Sequence, residues 1–156
     1  MTETEKLPAL ASLSLALAVD DIEDAIIFYQ KLGFEQKMRL QDDDGKTTFA
    51  MLACGTNGLM LGPSNELHYS NQERTDLFRN NPRGLGVTLI LDVPDLNAVY
   101  ALVKKMKLQI ILESVDEFYG ERVFMFVDPF QYEWKICQRT KEMNLSEVIA
   151  ATKTDE

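Results

Sequence analysis

Histidine and tryptophan each occur once in the 156 residues, cysteine occurs twice, and sixteen Lys and Arg face twenty-five Asp and Glu. Each shortage excludes something. A net charge of −9 gives no general attraction to phosphate backbones or anionic bilayers, so neither nucleic acid nor membrane is expected as a partner. Cys54 and Cys137 have no CxxC spacing and sit in apolar runs, the pattern of buried free thiols in a reducing, cytoplasmic compartment. The apolar stretch 9–19 is too short to span a bilayer. Glu3 and Glu5 outnumber Lys6 where a secretory signal carries positive charge, so the stretch is expected to belong to the folded core. With 46% hydrophobic and 26% charged residues, the composition is that of one ordinary globular domain spanning 1–156.

What the sequence does contain is a duplication. Leu13, Leu15, Leu17 and Val19 alternate with Ser14, Ala16 and Ala18, a strand with one bulky and one small face. Asp21 and Asp24 then form a variant capping box. Ile22, Ala25, Ile26, Tyr29 and Leu32 follow at helical spacing, and Gly33 closes the helix. The pattern returns with Leu85, Val87, Leu89, Leu91 and Val93 alternating with Gly86, Thr88, Ile90 and Asp92. Asp95 caps a helix whose stripe is Leu96, Val99, Tyr100, Val103 and Met106. Ser14 and Thr88, Asp21 and Asp95, Ala25 and Val99, Tyr29 and Val103, and Leu32 and Met106 all stand 74 positions apart. A cleaved leader has no reason to match an internal strand position by position.

Three apolar runs follow each helix: 35–40, 47–54 and 58–61, then 109–114, 122–127 and 132–137. Asp43-Asp44-Gly45 marks a hairpin, and Asp128-Pro129 breaks the chain before the last run. The expected organisation is two βαβββ modules, at about 12–62 and 84–138. A polar linker at about 63–83 holds a helical turn near 72–79, and the tail 139–156 carries a short helix near 145–151.

These residues reach a family. The strand leading into Asp21-Ile22-Glu23, then Phe28-Tyr29, Leu32-Gly33-Phe34, and later the run from Gly120 through Glu121-Arg122-Val123 to Asp128-Pro129-Phe130, resemble the vicinal oxygen chelate superfamily of glyoxalases, bleomycin-resistance proteins and extradiol dioxygenases. The resemblance spans about 13–138. It implies an α+β fold in which tandem βαβββ modules form a curled, cup-shaped mixed sheet with helices on the convex face and a ligand inside. It also implies a homodimer. Strict alternation then puts Ser14, Met60, Thr88, Ile90, Glu133 and Lys135 on the cup side and the bulky residues under the helices. Which face of 122–127 lines the cup is left open, as it is for Phe49 and Met51.

By the same resemblance, metal-using members place His, Gln or Glu on the first strand of each module and a carboxylate on the fourth. Here those slots hold Ser14, Met60, Thr88 and Lys135. Two hydroxyls, a thioether and an ammonium are poor ligands for a divalent cation, so neither metal nor other cofactor is expected and no catalytic residue is assigned. The lone histidine, His68, falls in the linker. The reading that follows is metal-independent binding of a small organic molecule, as in bleomycin-resistance-like sequestration. Ser14 and Thr88 would be hydrogen-bonding groups, Met60 and Ile90 lining, Lys135 and Glu133 orienting charges, and Arg122, with Tyr119, residues at the mouth. Alternatives stay open at this point. Ser14 and Thr88 equally suit small strand residues without contacts, Glu133 and Arg122 suit rim ion pairs, and Met60 suits core packing. A glyoxalase-type lyase or dioxygenase using other metal ligands or Lys135, and an accessory module working through its surface, are the competing functions.

Overall fold

The computed structural model describes residues 14–67 and 69–153. Leu13 and His68 fall outside them. The element order is β1 (Ser14–Val19), α1 (Ile22–Lys31), β2 (Glu35–Gln41), β3 (Thr47–Cys54), β4 (Asn57–Pro63), α2 (Gln72–Asn80), β5 (Thr88–Asp92), α3 (Leu96–Lys105), β6 (Ile110–Glu117), β7 (Glu121–Val127), β8 (Glu133–Arg139) and α4 (Leu145–Thr152). Contacts divide the chain between Ser70 and Asn71 into two compact units. Each holds one mixed four-stranded sheet, β1-β4-β3-β2 in the first and β5-β8-β7-β6 in the second. The α+β class and the βαβββ modules are as the sequence led us to expect.

The duplication extends to the hydrogen-bond register. In the first sheet Ser14 faces Gly58 and Ala16 faces Met60. In the second, Thr88 faces Glu133 and Ile90 faces Lys135, the same parallel pairing with the last strand one position further along the chain. The helix ends repeat as well. Asp21 accepts from the Asp24 amide at 2.9 Å and Asp95 from the Ala98 amide at 3.1 Å, each filling an otherwise orphan donor of a first turn. At the far ends, Phe34 N–H donates to Tyr29 O at 3.1 Å and Leu108 N–H to Val103 O at 3.2 Å. Both bonds need a left-handed residue just before the donor, supplied by Gly33 at φ 100 and by Lys107 at φ 56. Only the first is a glycine. Lys107→Gly is therefore expected to stabilise the protein by about 0.5–1 kcal/mol, read as a higher urea midpoint at unchanged slope.

One face of each sheet is covered by its helix. In the first module Ile22, Ala25, Ile26 and Tyr29 of α1 are buried, as are Val19, Ala50, Leu52, Leu59 and Leu61 of the sheet. Tyr29 meets Phe28 and Phe34 edge-on at 5.2 and 5.9 Å. In the second module, Leu96 and Val103 of α3 and Phe124, Phe126, Trp134 and Ile136 of the sheet are buried, with Tyr100 edge-on to Phe124 at 5.2 Å. Alternation is the cause, since bulky residues at every second position all turn the same way.

Two boundaries differ from the sequence reading by three residues. The strand expected from Leu85 begins only at Thr88, because Gly84 and Gly86 take φ values of +73 and +81 and Val87 N–H closes a turn onto Gly84 O at 3.0 Å. β6 continues past Ser114 to Glu117, with two register shifts against β7. The linker helix and the tail helix form where their patterns lie. α4 carries a reciprocal capping box between Asn144 and Glu147.

Candidate functional site

The sheet face away from α3 carries the chemistry of the second module. Register across β7 and β8 answers which side of β7 lies there. Phe124 and Phe126 pair with Ile136 and Trp134 on the helix side, so Val123, Met125 and Val127 share the open side with Cys137, Lys135 and Glu133. One row across this face reads Ile90, Lys135, Met125, Leu112, and the next reads Thr88, Glu133, Val127. The equivalent row of the first module is Ala16, Met60, Met51, Met38. Phe49 lies on that same open side, paired with Leu40. The two rows match position for position, and the only charge in either is Lys135.

Lys135 is half-buried and its Nζ donates to the Tyr119 hydroxyl at 3.1 Å, with the ammonium 5.7 Å from the centre of that ring. Tyr119 reaches it because the β6–β7 turn folds at Gly120, whose φ is +85 and whose carbonyl accepts from the Thr140 and Lys141 amides at 2.9 and 3.1 Å. The phenol oxygen raises the Lys135 pKa above its ordinary 10.5, and partial burial opposes it. Lys135 is thus an ammonium at neutral pH. Because the folded pKa lies above the unfolded one, its contribution to stability is full below about pH 10 and is lost as pH rises through the raised value. The stability difference between wild type and Tyr119→Phe is expected to stay flat from about pH 6 to 9 and to shrink only in strong base, as urea titrations at each pH would show.

Other predicted site residues divide by face. Ser14 and Met60 lie on the open side of the first module, on neighbouring strands. Thr88, Ile90 and Glu133 lie with Lys135 in the second. Ile90 is 64% exposed, and the direct cross-strand neighbours of Glu133 are the uncharged Thr88 and Val127. Arg122 lies on the other face, and of its two readings the ion pair is the one seen. It pairs across the sheet with Gln138, whose side-chain oxygen accepts from the Leu96 amide at the start of α3, so Arg122 belongs to the helix side and not with Lys135. There it forms a bidentate pair with Asp116, at 2.6 and 3.0 Å. Asp116 is held below the usual carboxylate range, and Arg122 above its ordinary value, by that hydrogen bond. Cys137 is buried and burial raises its thiol pKa, which leaves it a poor nucleophile at neutral pH.

A cavity of about 590 Å³ opens in the second module at the Glu133–Val127 row. Arg79 and Asn80 from the end of α2 and Arg83 from the loop after it form a wall that carries the arginines, and Gln109, Val127 and Glu133 also line the cavity. Arg83 is fixed in place, its backbone N–H donating to Gln131 Oε1 at 3.0 Å and its guanidinium 5.6 Å from the centre of the Phe78 ring. Sequence reasoning did not anticipate this wall. Its only signal was two arginines close together in a polar linker of an otherwise acidic chain.

A family model described as the Glyoxalase/Bleomycin resistance protein/Dioxygenase superfamily matches residues 12–136. The chain belongs to that superfamily. Among its relatives, "Uncharacterized protein Mb0911c" of Mycobacterium bovis is 29% identical over 144 residues, covering 90% of this chain and 91% of that protein. TioX from Micromonospora sp. ML1 has a similar fold, with a TM-score of 0.61 at 18% identity over 83% of this chain and 98% of its own. So does the fosfomycin resistance protein FosX from Listeria monocytogenes, solved with Mn(II) and sulfate, with a TM-score of 0.60 at 11% identity over 92% and 99%.

Superfamily members that hold a metal raise the question of whether these residues fit one. They do not. Ser14, Met60 and Thr88 offer two neutral hydroxyls and a thioether, and at the fourth slot Tyr119 holds Lys135 as an ammonium, which has no lone pair to donate. Among the described residues, no three His, Cys, Asp or Glu come together in a way that could hold an ion. No described helix is long and apolar enough to cross a membrane.

Proposed function

We propose that this superfamily member binds a small organic molecule, without a metal, on the open face of the second module, and sequesters it rather than transforming it. The observation that carries the reading is the Ile90–Lys135–Met125 row. It sets one ammonium, steadied by Tyr119, between two apolar side chains and beside a cavity of about 590 Å³. Apolar floor with a few placed polar groups is the usual make-up of a small-molecule site, and the volume lies in the usual range of about 300–1,000 Å³. Ile90 and Met125 supply area, Lys135 orients an acceptor group of the ligand, and Glu133 lines the cavity with Thr88 as its neighbour on β5. Ser14 and Met60 extend the same role to the apolar face of the first module. In this reading the protein works as a cytoplasmic homodimer with no nucleic-acid or membrane partner.

Benzoate and a panel of small aromatic acids, titrated while backbone amide shifts are followed by NMR, would test it. Shifts at Ile90, Met125 and Lys135 are expected, unchanged after treatment with a chelator, and Lys135→Met is expected to weaken binding by about tenfold. A chelator-sensitive response, or about one metal per chain after tag-free purification, would instead favour a lyase or dioxygenase with other ligands. Turnover lost on Lys135→Met would favour the amine enzyme.

A further inference from the structure

Lys135 and Tyr119 have more hydrogen-bonding capacity than they spend on each other. An ammonium carries three donors, and among the described residues that of Lys135 has one acceptor, the Tyr119 oxygen at 3.1 Å. A phenol that accepts a hydrogen bond keeps its own proton to give, and no described group takes the one on Tyr119. Both side chains are half-buried, so these remaining donors reach solvent. Their place is fixed from two sides, because the Tyr119 ring sits 5.7 Å from the ammonium and edge-on to Phe118 at 5.1 Å. An N–H and an O–H donor therefore start from atoms of known separation on an otherwise apolar row, with Ile90 and Met125 beside Lys135 and Leu112 beyond Met125.

We infer that the Lys135–Tyr119 pair grips a single carboxylate borne on an apolar body, one carboxylate oxygen on the ammonium and the other on the phenol O–H, with the body laid over Ile90, Met125 and Leu112. This rests on the binding role proposed for the open face and names the group that face holds, which makes Tyr119 a ligand contact as well as the support of Lys135. Charge selects among acceptors. An amide or ester offers Lys135 an oxygen without the charge that strengthens the bond. A doubly charged group meets one ammonium and two nearby carboxylates, Glu133 on the same face of β8 and Glu117, which acts on Lys135 through space. One negative charge fits, and the second is repelled. Because Tyr119 already holds Lys135 in place, less ordering is required when the ligand arrives.

The test uses the full chain and three probes that share one ring: benzoate, benzamide, and phenylphosphonate in its doubly charged form. Amide shifts give the site and their titration the affinity. Benzoate is expected to move Ile90, Met125, Lys135 and Tyr119, benzamide to bind about tenfold more weakly, and phenylphosphonate to bind no more tightly than benzoate. Tyr119→Phe keeps the ring against Lys135 and removes the O–H. It is expected to weaken benzoate about fivefold or more and to leave benzamide, with its single acceptor oxygen, unchanged. Lys135→Gln, which keeps a donor and loses the charge, is expected to bring benzoate down to the level of benzamide. If Tyr119→Phe weakens benzoate and benzamide equally, the hydroxyl only positions Lys135 and the two-point grip is wrong. If benzamide or phenylphosphonate matches or exceeds benzoate on the wild-type chain, the carboxylate assignment is wrong while binding on the open face stands. No response of the row to any probe removes both.

Discussion

Asp128→Ala is expected to lower stability by about 3–5 kcal/mol, read by urea unfolding and by the fluorescence of the only tryptophan. Asp128 is 4% exposed, and its carboxylate is surrounded by donors. Oδ1 accepts from the Phe130 and Tyr132 amides at 2.8 and 2.9 Å, and Oδ2 accepts from the Trp134 indole at 2.8 Å. The same residue's backbone closes the loop, with its N–H on Tyr132 O at 2.9 Å and its carbonyl taking the Gln131 amide at 3.1 Å. Removing the side chain orphans three donors around a buried site, and each then bears its desolvation cost. Asp128→Asn keeps one acceptor oxygen but turns an amide toward a donor, so an intermediate loss of about 1.5–3 kcal/mol is expected. A loss below about 1 kcal/mol for the alanine variant would mean that water replaces the carboxylate, and the account of this turn would be wrong.

Gly120→Ala is the second large effect, expected at about 2–4 kcal/mol. Two costs coincide at this position. A φ of +85 is strained for any side chain, and a Cβ there would collide with the carbonyl oxygen of Lys141, a backbone atom of a residue whose own N–H is bonded to the Gly120 carbonyl. Gly45 separates the two, since its φ is +80 but a Cβ there meets nothing within 4 Å. Gly45→Ala is therefore expected to cost only the conformational part, about 1 kcal/mol. The variants differ in function as well. Gly120 adjoins Tyr119, so displacing the turn separates the phenol from Lys135, and Gly120→Ala is expected to lose ligand affinity that Gly45→Ala keeps. Equal stability losses for the two would contradict the steric account.

Much of this molecule could be read from alternation and interval alone. The strand faces of β1, β4, β5 and β8 follow from a period of two, and the recurrence of Asp21 at Asp95 and of Leu32 at Met106 fixed two modules before any contact was known. β7 was different, because Arg122, Phe124 and Phe126 alternate with Val123, Met125 and Val127, and both sets are bulky enough to face a core. Only pairing with β8 distinguishes them, and pairing is a long-range property that no local window contains. For this reason the sequence left Arg122 open between a mouth residue and an ion-pair residue. The arginine wall escaped for another: Arg79 and Arg83 gain meaning only when the end of α2 comes against β8, some fifty residues along the chain. Leu85 has the spacing of a strand residue, while Gly84 and Gly86 on either side take left-handed conformations that delay the strand's start to Thr88.

All the strand pairing of the first sheet is complete by Pro63, and its covering helix lies between its own first two strands. A chain emerging from the ribosome therefore possesses every hydrogen-bonding partner for this half before Thr88 has been added. Vectorial synthesis thus lets one copy of the duplicated unit settle first, which lowers the chance that β1 is captured by β8, the strand that holds the place of β4 in the second copy.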